Sequence, residues 1–244
     1  MSVWGKILGG AAGFALGGPL GALIGAVAGH AVDKMSGSTA TAESADATKQ
    51  IAFTIGVIVL GAKLAKADGQ VTRDEVDAFK QVFRIPPEEM KNVGRVFDQA
   101  RKNAGGFEPY AKQLARRFAD NPAVLEELLG GLFHIARADG RITEEELDYL
   151  EQLAVLFNFT ARDWDRIRAA NVGPDENDPF RILGVSREAS DQEIRAAHRK
   201  LVVENHPDRL VAQGMPQEFV EMANEKVATI NAAYDEIRQL RGIR

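Results

Sequence analysis

Residues 190–208 read Ser190-Asp-Gln-Glu-Ile-Arg-Ala-Ala-His-Arg-Lys-Leu-Val-Val-Glu-Asn-His206-Pro207-Asp208. Ser190 followed three positions later by Glu193 is a capping box, which satisfies orphan amides at a helix start. The helix it opens runs to about Glu204, with Ile194, Ala197 and Leu201 forming its buried stripe. Arg195 and Arg199, four residues apart, share a different face, and Lys200 adjoins them. Pro207 fixes its own φ and biases His206 toward an extended conformation, so His206-Pro207-Asp208 stands clear of the helix end. A loop through Gly214 leads to a last helix, from about Pro216 to Leu240. Its apolar positions Phe219, Met222, Val227, Ile230, Ala233, Tyr234 and Ile237 suit antiparallel packing on the preceding helix. Upstream, Asp178 to Val185 is a short helix closed by Gly184. Residues 178–244 are therefore an all-α unit built on a hairpin.

The segment before it, 49–170, is helical and internally duplicated. Ala65-Lys-Ala-Asp-Gly-Gln-Val-Thr-Arg-Asp-Glu-Val-Asp-Ala-Phe79 matches Ala136-Arg-Ala-Asp-Gly-Arg-Ile-Thr-Glu-Glu-Glu-Leu-Asp-Tyr-Leu150. Gly69 and Gly140 can take the left-handed conformation that ends a helix. Thr72 with Glu75, and Thr143 with Glu146, then form capping boxes that start the next one. Each copy predicts a helix, a tight turn and a second helix. Further helices are expected over 50–67, 73–84, 87–103, 108–119, 122–138, 144–157 and 161–170, the first and fifth supplying most of the core. Residues 171–177 read as a hinge.

The two turns also copy the second half of a calcium loop. The first and third ligand positions, however, would be Leu64 and Lys66 in one copy and Ile135 and Arg137 in the other. Calcium needs oxygen donors there, so a structural turn is the better expectation. Asp68, Glu75, Asp139 and Glu146 are weak metal candidates only, and no metal is expected.

The amino terminus differs in kind. Ile7 to Gly29 is a run of 23 residues without a formal charge, about 34 Å as a helix and enough to cross a hydrocarbon core. Gly5, Gly9, Gly13, Gly17, Gly21, Gly25 and Gly29 recur every fourth position and would fall on one stripe. Such stripes let two backbones approach closely in lipid, so Gly9, Gly13, Gly17, Gly21 and Gly25 are candidates for self-association. Residues 1–35 are thus expected as a transmembrane helix and the small, polar stretch 36–48 as a tether. Ile51 to Ala62 is too short to span and is expected as a buried core helix. Lys6 and Lys34 flank the first run, so charge leaves its orientation undecided.

Composition closes several doors. The chain has 244 residues, 45% of them apolar and 27% charged, in the ordinary range for a folded protein. It has no cysteine, which removes thiolate zinc, iron–sulfur and cysteine-nucleophile chemistry. Its four histidines (His30, His134, His198, His206) are not at ligand spacing, and His134, between Phe133 and Ile135, is expected in a core or boundary role. The net charge of −5 argues against bulk nucleic-acid binding, so any electrostatic recognition is local.

Four motifs in the right order, Ile-Leu-Gly-Val, Ile-Arg-Ala-Ala-His-Arg-Lys-Leu, His-Pro-Asp and Ile-Asn-Ala-Ala-Tyr, give residues 178–244 a close resemblance to the J domain of DnaJ-type co-chaperones. The duplicated Ala-Asp-Gly turn makes 49–170 resemble the tellurite-resistance TerB-like domain. With the Trp-Gly-Lys-Ile-Leu-Gly start, the Gly-His-x-x-Asp-Lys exit and the Arg-Leu-Val-Ala-Gln-Gly-Met-Pro loop, the whole chain resembles the DjlA family of membrane-anchored bacterial DnaJ-like proteins. The resemblance implies an all-α protein: transmembrane helix, TerB-like bundle, J-domain hairpin. It also implies a DnaK-type chaperone ATPase as partner, an inner-membrane location with the soluble part in the cytoplasm, no cofactor and no catalysis by the chain itself.

In that setting His206, Pro207 and Asp208 would dock on the ATPase. Asp208 would meet a partner arginine, and Arg195, Arg199, Lys200 and Arg209 would steer an acidic surface. His198 stands where the family more often has tyrosine, and Arg209 replaces the usual lysine. Zinc-finger and Gly/Phe-rich client-binding regions are absent from the sequence, so broad client delivery is not expected. The alternative is a membrane-bound metal or stress sensor whose J domain only recruits.

Overall fold

The computed structural model describes residues 17–28, 42–66, 76–77, 79–80, 85–102, 106–172 and 178–242. Among these, every regular element is helical. The organising element of the bundle, α2, runs from Ala42 to Leu64. Residues 51–65 are all buried, as expected for a core helix. Three helices wrap it: α3 (Met90–Lys102), α4 (Glu108–Arg117) and α5 (Pro122–Ala136). Two more, α6 (Glu144–Leu156) and α7 (Ala161–Asn171), close the far side against α5.

The close approach of α2 and α4 follows from Gly56, where an added Cβ would lie 2.6 Å from a Leu114 methyl. Tyr149 on α6 donates its hydroxyl to the Leu60 carbonyl at 2.8 Å, so a buried phenol is satisfied by the core helix. Burial raises that hydroxyl's pKa well above the ordinary value. Phe133 and Trp164 stack 5.7 Å apart between α5 and α7.

The second duplicated turn is as the sequence predicts. Gly140 sits at φ +96°, and Thr143 and Glu146 exchange the paired bonds of a capping box. Residues 67–75, which carry Asp68, Gly69, Thr72 and Glu75 of the first copy, lie outside the described residues. Thr160 and Asp163 form a capping box that starts α7.

Two expectations near the amino terminus are corrected. The stretch read as a tether is helical from Ala42, continuous with the core helix; its alanines and glutamate favour helix as well as solvation. Nor is a helix continuous through Gly17. Gly17 and Gly18 stand at φ +56° and +58°, ahead of Pro19, and the described helix α1 covers only Gly18–Ala28, 11 residues. Proline has no N–H to donate to a continuous helical ladder, and the two glycines absorb the turn.

Gly17 therefore leaves the stripe. Gly21 and Gly25 remain within α1, while Gly9 and Gly13 lie outside the described residues. Leu20 and Leu23 of α1 join the bundle core, and Gln113 of α4 brackets its first turn. The Gln113 amide donates to the Gly17 carbonyl and accepts from the Leu20 N–H, both at 2.9 Å. No helix among the described residues is long and apolar enough to cross a membrane.

The carboxy-terminal unit comprises α8 (Pro179–Ile182), α9 (Asp191–Glu204), α10 (Pro207–Ala212) and α11 (Val220–Arg241). Gly184, at φ +64°, closes α8. Arg241 near the chain end donates to the Ala189 carbonyl at 2.6 Å and lies 5.3 Å from the Phe180 ring centroid, tying the last helix to the first. The core of this unit is Phe180, Ile182, Leu183, Ile194, Leu201, Ile230, Ala233 and Ile237, joined by Ala169 from α7.

Candidate functional site

The tripeptide lies where α9 gives way to α10. Asn205 ends α9; it is buried, and its side-chain amide donates to the Leu201 carbonyl one turn back at 2.8 Å. His206, at φ −63° and ψ 130°, is extended as Pro207 requires, and it is the N-cap of α10. Pro207 occupies the first helical position, where its missing N–H costs nothing. The sequence led us to expect a loop here. Six residues are too few for periodicity to reveal a helix, and only the cap chemistry marks it.

The Asp208 N–H donates to His206 Nδ1 at 3.3 Å, leaving Nε2 to carry the proton of the neutral ring. This bond turns the imidazole back on the helix start. The Asp208 side chain is 94% exposed, against 54% for His206. Among the described residues its carboxylate accepts no hydrogen bond, and the His206 ring nitrogen is 3.9 Å from it. The tripeptide is thus held rigidly by backbone and cap, with an unspent acceptor facing solvent.

Arg195, Arg199, Lys200 and Arg209 are all exposed. Arg195 and Arg199 share a shallow depression with His198, Val202, Val203 and Tyr234. His198 stacks on Tyr234 at 4.1 Å, and its Nε2 is 2.8 Å from the Asn231 side-chain oxygen. The histidine thereby keeps the flat packing an aromatic residue would supply at this place between α9 and α11. Ile194 and Leu201 are buried as expected, and Ala197 is half-buried. The structure brings the tripeptide, a cationic helix face and this aromatic stack onto one small unit.

The other candidates are differently placed. The Glu146 carboxylate accepts from both the backbone N–H and the hydroxyl of Thr143, each at 2.9 Å. Asp139 accepts from the Arg141 N–H at 3.2 Å, closing its own turn. Both carboxylates thus serve the helix–turn–helix. Among the described residues no group of three or more ligating side chains gathers. Of the expected core or boundary roles, His134 does not take the core one: it is exposed on the wall of a cleft, where its helix turns that position outward.

Sequence reasoning missed Asn205 and the buried charges at the seam between bundle and hairpin. Asn205 had a signal in hindsight, a side chain able to bond locally at a helix end.

Three family descriptions match successive stretches: "Co-chaperone DjlA transmembrane domain" over residues 1–50, "Tellurite resistance protein TerB" over 54–169 and "DnaJ domain" over 178–239. Co-chaperone protein DjlA of Aliivibrio fischeri is 32% identical across all of both chains. The chain belongs to the DjlA family of co-chaperones. The DjlA of Shewanella oneidensis is also 32% identical over the full length of both, and that of Photobacterium profundum 29% over 99% of this chain and all of its own. No solved structure matches the chain. As a DjlA-family member carrying a DnaJ domain, it is a J-domain co-chaperone.

Proposed function

We propose that the chain is held at the bacterial inner membrane by a helix within residues 1–35 and presents its J domain to a cytoplasmic DnaK-type chaperone, whose ATP hydrolysis it accelerates. The exposed, unspent carboxylate of Asp208, on a backbone held by the His206 cap, carries this proposal. An aspartate so placed can form a charge-assisted, geometrically selective bond with an arginine on the partner. Arg195, Arg199, Lys200 and Arg209 would speed encounter with an acidic surface and set its register. In this reading the chain regulates and the chemistry is the partner's.

Membrane attachment is supported by the match of residues 1–50 to the DjlA transmembrane description. Domain limits of 49–170 and 178–244, with a connection over 171–177, are part of the same reading, and the matches over 54–169 and 178–239 support it. Because a DnaK-type partner is cytosolic, the bundle and J domain would face the cytoplasm and the amino terminus the opposite side. Self-association through the glycine stripe is a further part of the proposal. Leucine at Gly9 and Gly13 should abolish oligomers in membranes, and unchanged oligomers would reject that part.

The decisive experiment is single-turnover ATP hydrolysis by a DnaK-type chaperone with the wild-type chain or Asp208→Asn. Wild type should accelerate hydrolysis and the variant should not. Equal stimulation by both would overturn the proposal.

A further inference from the structure

The J domain is not joined to the bundle by residues 171–177 alone. Glu126 and Glu127 project from α5 into a buried seam. From α7, Arg166 reaches the two Glu126 oxygens at 2.6 and 2.5 Å, a bidentate fork. From α11, in the J domain, Lys226 places its ammonium 2.8 Å from Glu126 and 3.0 Å from Glu127. Two carboxylates and two cations thus meet in an electroneutral cluster, and none of the four side chains is more than 16% exposed. Removing one member leaves an uncompensated charge away from water.

Two further contacts bracket the cluster. At one side Arg162 of α7 donates to the Gly184 carbonyl at 2.9 Å through Nε, and the Arg166 stem covers Gly184 so closely that a Cβ there would lie 3.0 Å from its Cδ. At the other, Phe219 at the foot of α11 packs edge-on against Phe53 of the core helix, centroids 4.9 Å apart. Leu210, Met215 and Ala223 enter the bundle core with it. Throughout, α9 packs on α10 and α11, leaving its cationic residues and Asp208 exposed.

We propose that Lys226, seated between Glu126 and Glu127, is a latch that docks the J domain on the bundle in one orientation, so that the His-Pro-Asp face is aimed rather than swung on a free hinge. The latch fixes direction without masking the tripeptide.

The chain lacks cysteine, which allows a direct test in the full-length protein. Val155 on α6 and Leu240 on α11 are exposed apolar residues, and cysteines at both would carry spin labels across the seam. The wild-type background and Lys226→Arg should give a single narrow distance distribution, and Lys226→Glu a broad one at unchanged helical content. If Lys226→Glu does not fold, Lys226→Gln is read in the same way. A broad distribution in the wild-type background would overturn the latch, as would a charge-removing variant as narrow as wild type. Loss of the latch leaves Asp208 in place, so failure of this inference and failure of ATPase stimulation are separately visible.

Discussion

At the scale of single residues, two glycines show how the same substitution can change sign. Gly56 lies where α2 and α4 touch, and a methyl there would press a Leu114 methyl at 2.6 Å. Gly56→Ala should therefore destabilise by about 1–3 kcal/mol, the usual cost of overpacking. Gly94 is exposed inside α3, with nothing within 4 Å of an added Cβ. Gly94→Ala should stabilise by about 0.5–1 kcal/mol, because alanine loses less backbone entropy on entering a helix. Urea melts of both variants decide the matter; if they shift in the same direction, the described packing of α2 on α4 is wrong. Asp208→Asn belongs with them as a control. Its side chain touches nothing that folding needs, so its melt should match wild type within about 0.5 kcal/mol while its effect on the partner ATPase is lost.

Between elements, the buried carboxylates of α5 respond to pH in opposite senses. Burial works against the Glu126 charge, but Lys226 and Arg166 outweigh it and hold that carboxyl far below the ordinary 4.5. Its contribution is complete above 4.5 and is lost on acidification below it. Glu127 has burial against it with only Lys226 in support, and its pKa is raised above 4.5. In its case the native state binds the proton first, so stability rises as pH falls from neutrality toward 4.5. A titration of melting midpoint should show this acid-side rise in wild type and lose it in Glu127→Gln, while the collapse at lower pH persists in both. Superimposable profiles would contradict the seam as described.

The seam also marks the limit of what the sequence discloses. Capping boxes at Ser190 and Thr143, the extended His206 before Pro207 and the buried run 51–62 are legible because their physics acts over two to four neighbours or one helical face. Glu126 and Arg166 are 40 positions apart, and Lys226 lies farther along still; each looks like an ordinary solvated charge until the helices meet. Phe219 was legible as a core residue but not as a residue of the other domain's core, since periodicity names a buried face and not its partner. The helical start at Ala42 was hidden by a composition that suits tether and helix alike.

For the whole molecule, the two hydrophobic clusters are cross-linked by membership. Leu210, Met215, Phe219 and Ala223 belong by sequence to the J domain yet lie in the bundle core, whereas Ala169 of α7 lies in the J-domain core. Separating the two would expose those side chains, at roughly 1.5–3 kcal/mol for each large one, and strand the Lys226 cluster without its counter-ions. Neither part can therefore melt while the other keeps its full stability. Calorimetry of the full-length chain should show one cooperative transition, with far-UV and near-UV signals changing together. Truncating the plug with Phe219→Ala should cost about 3–5 kcal/mol, as for a large core side chain, and should uncouple the transition into two. Two independent transitions in the wild type, with only the later or earlier one moved by Phe219→Ala, would mean that the J domain rides on the bundle without sharing its core. A single transition that splits only when Phe219 is lost would show that the J domain is folded into the body that carries it.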